Sequence, residues 1–187
     1  NKAPEDSDKS TGGHTTAPTA PSVVINDGGD GVINPTDLVN GKVTATVKPT
    51  EPVEEGDKVT ITLPNGSTQE VVVDGSNKDD INTNGIVVEF DKPADGTDVE
   101  LTATVTDKAG NTVTKNIRIY IDLHAPTLAS SSLSPRFESS TTIKYKCTDE
   151  MSGFASFGTK TLSKTYTKNV TSSNSPVTVQ CTDAAGN

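Results

Sequence analysis

The stretch Val99-Glu100-Leu101-Thr102-Ala103-Thr104-Val105-Thr106-Asp107-Lys108-Ala109-Gly110-Asn111 carries the logic of the whole chain. Val99, Leu101, Ala103 and Val105 alternate with Glu100, Thr102 and Thr104. Successive side chains on a strand point to opposite faces, so this period of two predicts a strand half-buried against a core. Ala109-Gly110-Asn111 then supplies turn chemistry, because Gly and Asn tolerate left-handed backbone. Past the turn, Ile117, Ile119 and Ile121 alternate with Arg118 and Tyr120. Upstream, Val43, Ala45 and Val47 alternate with Thr44 and Thr46, and Val59, Ile61 and Leu63 with Thr60 and Thr62. Asn65-Gly66, Asp74-Gly75, Asn84-Gly85 and Asp95-Gly96 separate the runs. No segment of ten or more residues keeps a helical period. Short strands at regular spacing with turn signals between them predict an all-β sandwich.

Internal repetition sets the expected domain organisation. Thr106-Asp107-Lys108-Ala109-Gly110-Asn111 recurs as Thr182-Asp183-Ala184-Ala185-Gly186-Asn187, and Thr16-Ala17-Pro18-Thr19 recurs as His124-Ala125-Pro126-Thr127. The repeats divide the chain into a flexible arm or linker at 1–18, module one at 19–122 and module two at 123–187. The arm holds no aliphatic side chain larger than Ala and cannot bury enough apolar surface to offset its ordering entropy. Module one continues after Asn111 with the run Thr112 to Ile121, whereas no counterpart follows Asn187. Module two is therefore expected to lack its last strand through truncation, disorder or donation of that strand by another chain. The first residue is Asn1 rather than Met, which reads as a fragment or a processed product.

Composition narrows the function. The 187 residues hold 16 Lys plus Arg against 25 Asp plus Glu, a net charge of −9, where a nucleic-acid binder would carry basic patches. No run approaches the roughly 20 apolar residues of a membrane-spanning helix. Two His, His14 and His124, and no Gly-x-Ser-x-Gly elbow leave no nucleophile–base pair to assemble, so the chain reads as a non-enzyme.

Three motifs together resemble a known family: Asp122-Leu123-His124-Ala125-Pro126-Thr127, the paired Thr-Asp-x-Ala-Gly-Asn turns, and Asp27-Gly28-Gly29-Asp30-Gly31-Val32-Ile33-Asn34-Pro35-Thr36-Asp37-Leu38. They look like the bacterial immunoglobulin-like repeats of giant calcium-dependent surface adhesins exported by type I secretion, over Thr15 to Asn187. The resemblance implies two tandem immunoglobulin-like β-sandwiches, the second lacking its last strand. It also implies an extracellular location at the bacterial cell surface. There the segment would act as a spacer stiffened by Ca2+, with neighbouring repeats of the same chain as partners and host-cell or biofilm ligands met by a distant tip. Two alternatives stand beside it. One sandwich itself grips a glycan or protein, with Phe154 and Phe157 as the available aromatics, or the chain is an accessory module of a secreted polysaccharide-processing enzyme.

Calcium needs six to eight hard oxygen ligands, so several carboxylates must converge. In an immunoglobulin-type sandwich the first strand enters at the end that carries the B–C and F–G loops. The F–G loop Asp183–Asn187 and the B–C loop with Asp149 and Glu150 are therefore expected to meet Asp122 of the incoming linker. At the leading end of module one, Asp107 and Asn111 hold the F–G loop, with Glu54, Glu55 and Asp57 near the B–C turn. The Ala-Pro-Thr alignment sets His14 where module two has Asp122, so that site is expected to bind calcium weakly. Asp27, Asp30 and Asp37 form a third candidate loop, placed at the far end of module one with Asp91 and Asp95 as expected neighbours. It fails the EF-hand pattern, having Gly28 at the third ligand position and no flanking helices.

Cys147 and Cys181 share the inward phase of two expected strands, with Ile143 and Tyr145 and with Val177 and Val179 respectively. Sandwiches of this type place an inter-sheet disulfide there. A bridge would close a loop of about 35 residues and contribute roughly 3–4.7 kcal/mol in the chain-entropy account. The alternative is two reduced core thiols.

Overall fold

The computed structural model describes residues 16–132, 140–152, 163–171 and 179–187. The fold is all-β. Strands β1 (Ser22–Ile25), β3 (Lys42–Lys48) and β6 (Ile86–Asp91) make one antiparallel sheet in the order β1-β3-β6. Strands β2 (Val32–Ile33), β4 (Lys58–Thr62), β5 (Thr68–Val72), β7 (Asp98–Thr106) and β8 (Thr112–Ile121) make a second, ordered β2-β8-β7-β4-β5. The alternation read from the sequence is what the two sheets bury. Val43, Ala45 and Val47 of β3 and Val99, Leu101, Ala103 and Val105 of β7 are each at most 2% exposed, and all belong to one shared core. That core runs from Val23 to Ile121 and draws no buried residue from module two.

One element departs from the sequence reading. Residues Lys78–Asn84 form a helix, α1, where only the turn at Asn84-Gly85 was expected. Seven residues show barely two turns of periodicity, and a single apolar anchor, Ile81, is buried. Such a helix leaves no amphipathic signature. Asp79 and Asp80 favour its first turn through the helix dipole. Gly85 ends it at φ +81°, where a Cβ would stand 2.8 Å from the Val47 carbonyl oxygen, so only glycine fits.

Module two contributes β9 (Thr127–Ser132), β10 (Ser140–Thr148) and β11 (Ser163–Thr171), ordered β11-β10-β9. Ile143, Tyr145 and Cys147 are buried along β10, as their phase predicts, and a disulfide joins Cys147 to Cys181 with Cα atoms 5.8 Å apart. Residues 179–183 adopt no strand, against the expected strand from Val177 to Cys181. A strand needs a hydrogen-bonded neighbour, and among the described residues no strand pairs with this segment, which the disulfide ties to β10 instead. Phe154, Phe157 and His14 lie outside the described residues, as do the first two residues of that expected strand.

Strand direction determines what meets at the far end of module one. β2 pairs parallel to β8, Val32 opposite Tyr120 and Ile33 opposite Ile121, so both run out at the same edge. The Asp122 amide extends this ladder by donating to the Ile33 carbonyl at 2.8 Å.

Candidate metal centre

Three loops converge where β8 ends. Asp122, Asp149 and Asp183 each place one carboxylate oxygen within 4.8 Å of the others, and their exposures are 0%, 5% and 7%. Asp122 arrives on the strand that crosses the module boundary, Asp149 directly follows β10, and Asp183 follows the disulfide-tethered Cys181 by two residues. The three acids expected to meet at the linker do meet. Among the described residues they form the one group of three or more His, Cys, Asp or Glu close enough to share an ion.

Backbone amides hold the carboxylates in place. Asp122 Oδ2 accepts from the Ser152 amide at 2.8 Å and Oδ1 from the His124 amide at 3.1 Å. Asp149 Oδ1 accepts from the Met151 amide at 2.8 Å. Asp183 Oδ1 accepts from the Asn187 amide at 2.9 Å, and Oδ2 from Asn187 Nδ2 at 3.2 Å. Asn187 Nδ2 also donates to the Asp122 carbonyl at 3.0 Å, tying the turn at 183–187 to the backbone that follows β8. Asn187 therefore acts here as a clamp. Glu150 is exposed and stands outside the buried group.

The electrostatics follow from burial. Desolvation pushes the Asp183 carboxyl above its ordinary range, the Asn187 hydrogen bonds oppose this, and the charges of Asp122 and Asp149 add to it. Tyr120 is likewise raised by burial, with Asp122, Asp95, Asp149 and Asp98 contributing. No ion pair joins Asp122 or Asp183 to a Lys or Arg among the described residues. Beside the group, the Ser152 hydroxyl is buried and makes no hydrogen bond. A buried hydroxyl left without a partner costs about 1–3 kcal/mol. Carboxylate and hydroxyl oxygens with no thiolate make a hard donor set, which suits a hard cation and is a poor match for zinc.

The Asp27–Asp37 loop belongs to the same joint. Asp27 accepts from the Gly29 and Gly31 amides at 3.0 and 3.1 Å, and Asp30 from the Val32 amide at 3.0 Å. Asn34 caps the 3-10 turn Pro35–Asp37, and Asp37 Oδ2 accepts from the Asn34 amide at 2.9 Å. Gly28 sits at φ +64°, a left-handed backbone that favours glycine. Burial raises the Asp37 pKa, with Asp30 and Asp27 adding to the effect and the Asn34 amide opposing it. Asp27, Asp30 and Asp37 do not converge as the triad does. Asn34 also crosses the module boundary, where its Nδ2 donates to the Ala185 carbonyl at 2.7 Å.

Two expected neighbours separate. Asp95 joins the linker, accepting from the Leu123 amide at 2.9 Å and contacting His124 Nδ1 through its other oxygen. Asp91 instead pairs with Lys42 at 3.2 Å on an exposed edge. Met151, in the loop expected to face the linker, has its sulfur 3.2 Å from where a Cβ on Gly96 would stand. At the leading end of module one, Asp107 accepts from the Ala109 and Asn111 amides and from Asn111 Nδ2, which lowers its pKa. Asp57 is likewise engaged by the Lys108 and Glu54 amides at 2.9 and 2.8 Å. Asp107 closes its own turn, Asp57 also ties that turn to the β3–β4 segment, and neither belongs to a shared group of acids among the described residues. No protein-family model matches the chain, and no curated protein matches it.

Proposed function

We propose that this chain is a non-enzymatic extracellular spacer, two serial β-modules of a bacterial surface adhesin whose joint is stiffened by calcium. The observation that carries this reading is the convergence of Asp122, Asp149 and Asp183, three buried carboxylates from one linker and two loops of the following module. Asp122, Asp149 and Asp183 would hold the ion, with the Ser152 hydroxyl as a further oxygen. Calcium supplies charge neutralisation, turning mutual repulsion into shared coordination.

A short linker is a hinge by default, since a small contact area leaves two modules free to reorient. A cation ligated from both sides of the boundary removes that freedom. Its binding stabilises the closed joint by RT ln(1 + [L]/Kd), about 2.7 kcal/mol at a hundredfold excess over Kd. The disulfide suits an oxidising extracellular compartment.

Small-angle scattering and thermal melting, with calcium and with chelator, test this. Chelation should broaden the distribution of end-to-end distances and lower the melting temperature while the circular dichroism stays β. Asp122→Ala should reproduce the loosening with calcium present. Superimposable scattering profiles in the two buffers would defeat the reading.

A further inference from the structure

The joint described above has a counterpart at the opposite end of module one. There the incoming residues Thr16–Thr19, the segment between β3 and β4, and the turn after β7 enclose an open groove of about 520 Å³. The counterparts of these three elements in module two, a linker, a loop after β10 and a Thr-Asp-x-Ala-Gly-Asn turn, receive the trailing end of module one. At that occupied joint, Ala185 is fully buried and its carbonyl accepts from Asn34 Nδ2 at 2.7 Å. At the groove, the equivalent Ala109 is exposed and lines the opening. The groove's floor is apolar, with Pro18, Pro52, Val53 and Val105.

We infer that this groove is a docking face for the trailing end of a preceding β-module, which presents a carboxamide to the Ala109 carbonyl as Asn34 does to Ala185. The same turn sequence in the same setting calls for the same partner, and the structure displays that partner once. The chemistry differs in one respect. The groove carries the acids Glu51, Glu54, Glu55, Asp57 and Asp107; Asp57 and Asp107 are occupied by backbone amides, Glu54 pairs with Lys78, and Lys108 stands where module two has Ala184. Docking at this end therefore rests on the carboxamide and on apolar burial. It rests on the serial-module reading but not on a metal at either joint.

Hydrogen exchange over residues 107–111 tests the inference, in calcium-containing buffer, on the 187-residue chain and on a chain with a second copy of residues 19–124 placed ahead of Ala17. The added copy can fold alone, since its core draws only on its own residues. A folded added module that docks should slow exchange at 107–111 by about tenfold or more. Asn34→Ala in the added copy alone should restore the fast rate. Unchanged exchange beside a folded added module would overturn the inference, and protection that survives Asn34→Ala would overturn the carboxamide contact. Faster exchange on deleting residues 1–15 from the parent would show that this arm fills the groove, and would equally overturn it. Scattering at the Asp122 joint decides the calcium reading separately, so either can fail without the other.

Discussion

The turns Thr106–Asn111 and Thr182–Asn187 differ only at Lys108 against Ala184. Their internal hydrogen bonds match. Gly110 donates to the Asp107 carbonyl at 2.9 Å and Gly186 to the Asp183 carbonyl at 3.3 Å, while the Asn111 and Asn187 amides each donate to their own Asp carboxylate. Yet Ala185 and Asp183 are buried, whereas Ala109 is exposed and Asp107 only half-buried. The Asp183 carboxyl is pushed up and the Asp107 carboxyl is held down. Local sequence specifies the turn in both places. What packs against the turn specifies its chemistry, and the covering layer at Asp183 comes from residues 34 or more positions away along the chain. That layer is Asp122, Asn34 and Asp149.

The largest expected difference between the two modules concerns how each is held together. Module one relies on a core of some twenty buried residues without a cysteine, whereas the described core of module two is small and carries the bridge. Replacing both Cys147 and Cys181 by Ser should destabilise module two by about 2–5 kcal/mol and leave module one unaffected. Thermal melting followed by the near-ultraviolet signal and by hydrogen exchange in β7 checks this. An unshifted module-two transition would mean that the bridge contributes nothing to it.

Next in size is a steric contrast between the two turns. Ala185 is 0% exposed, so Ala185→Val must displace neighbours, and overpacking of this kind costs about 1–3 kcal/mol. Ala109→Val adds the same two methyl groups to an open surface and should stay within about 0.5 kcal/mol. Urea titration of the two variants compares them directly. Equal effects would mean that the joint at Ala185 yields as readily as solvent.

These contrasts also mark how far the sequence could be read. Strands β3, β4, β7, β8 and β10 were legible because each repeats a period of two against one face of a core, as Val99 to Val105 does, whereas β5, almost wholly exposed, shows no such period. The meeting of Asp122, Asp149 and Asp183 was expected from the immunoglobulin-type topology, which places the incoming linker and two loops at one end. Asn34 was not. Asn34-Pro35-Thr36-Asp37 announces a capped turn, but its donation to Ala185 depends on how two modules sit against each other, across 151 positions of sequence. Helix α1 escaped for the opposite reason, having one buried side chain and too few turns to display a period.

The smallest contrast is in pH dependence, and it has opposite signs at the two aspartates. Asp183 holds its proton more tightly folded than unfolded, because burial and the charges of Asp122 and Asp149 oppose ionisation. In chelator its ionised form therefore works against folding at neutral pH. Lowering the pH through its raised folded value should raise module-two stability, with the gain complete below the ordinary aspartate value of 3.8. Asp107 is the reverse case, since the Asn111 hydrogen bonds favour its ionised form. Its contribution is fully present above 3.8 and is lost as pH falls below that value through its depressed folded value. Asp183→Asn should abolish the acid gain and raise the melting temperature in chelator at neutral pH. Asp107→Asn should remove the loss below 3.8 and slightly lower the melting temperature at neutral pH. Adding calcium should invert the first slope alone, because protonation of Asp183 then competes with the bound ion and acid releases it. Melting curves of the parent and both variants across pH 3 to 7, with and without calcium, check the pair. Parallel slopes at Asp183 and Asp107 in chelator would mean that the joint does not bury its carboxylates in solution.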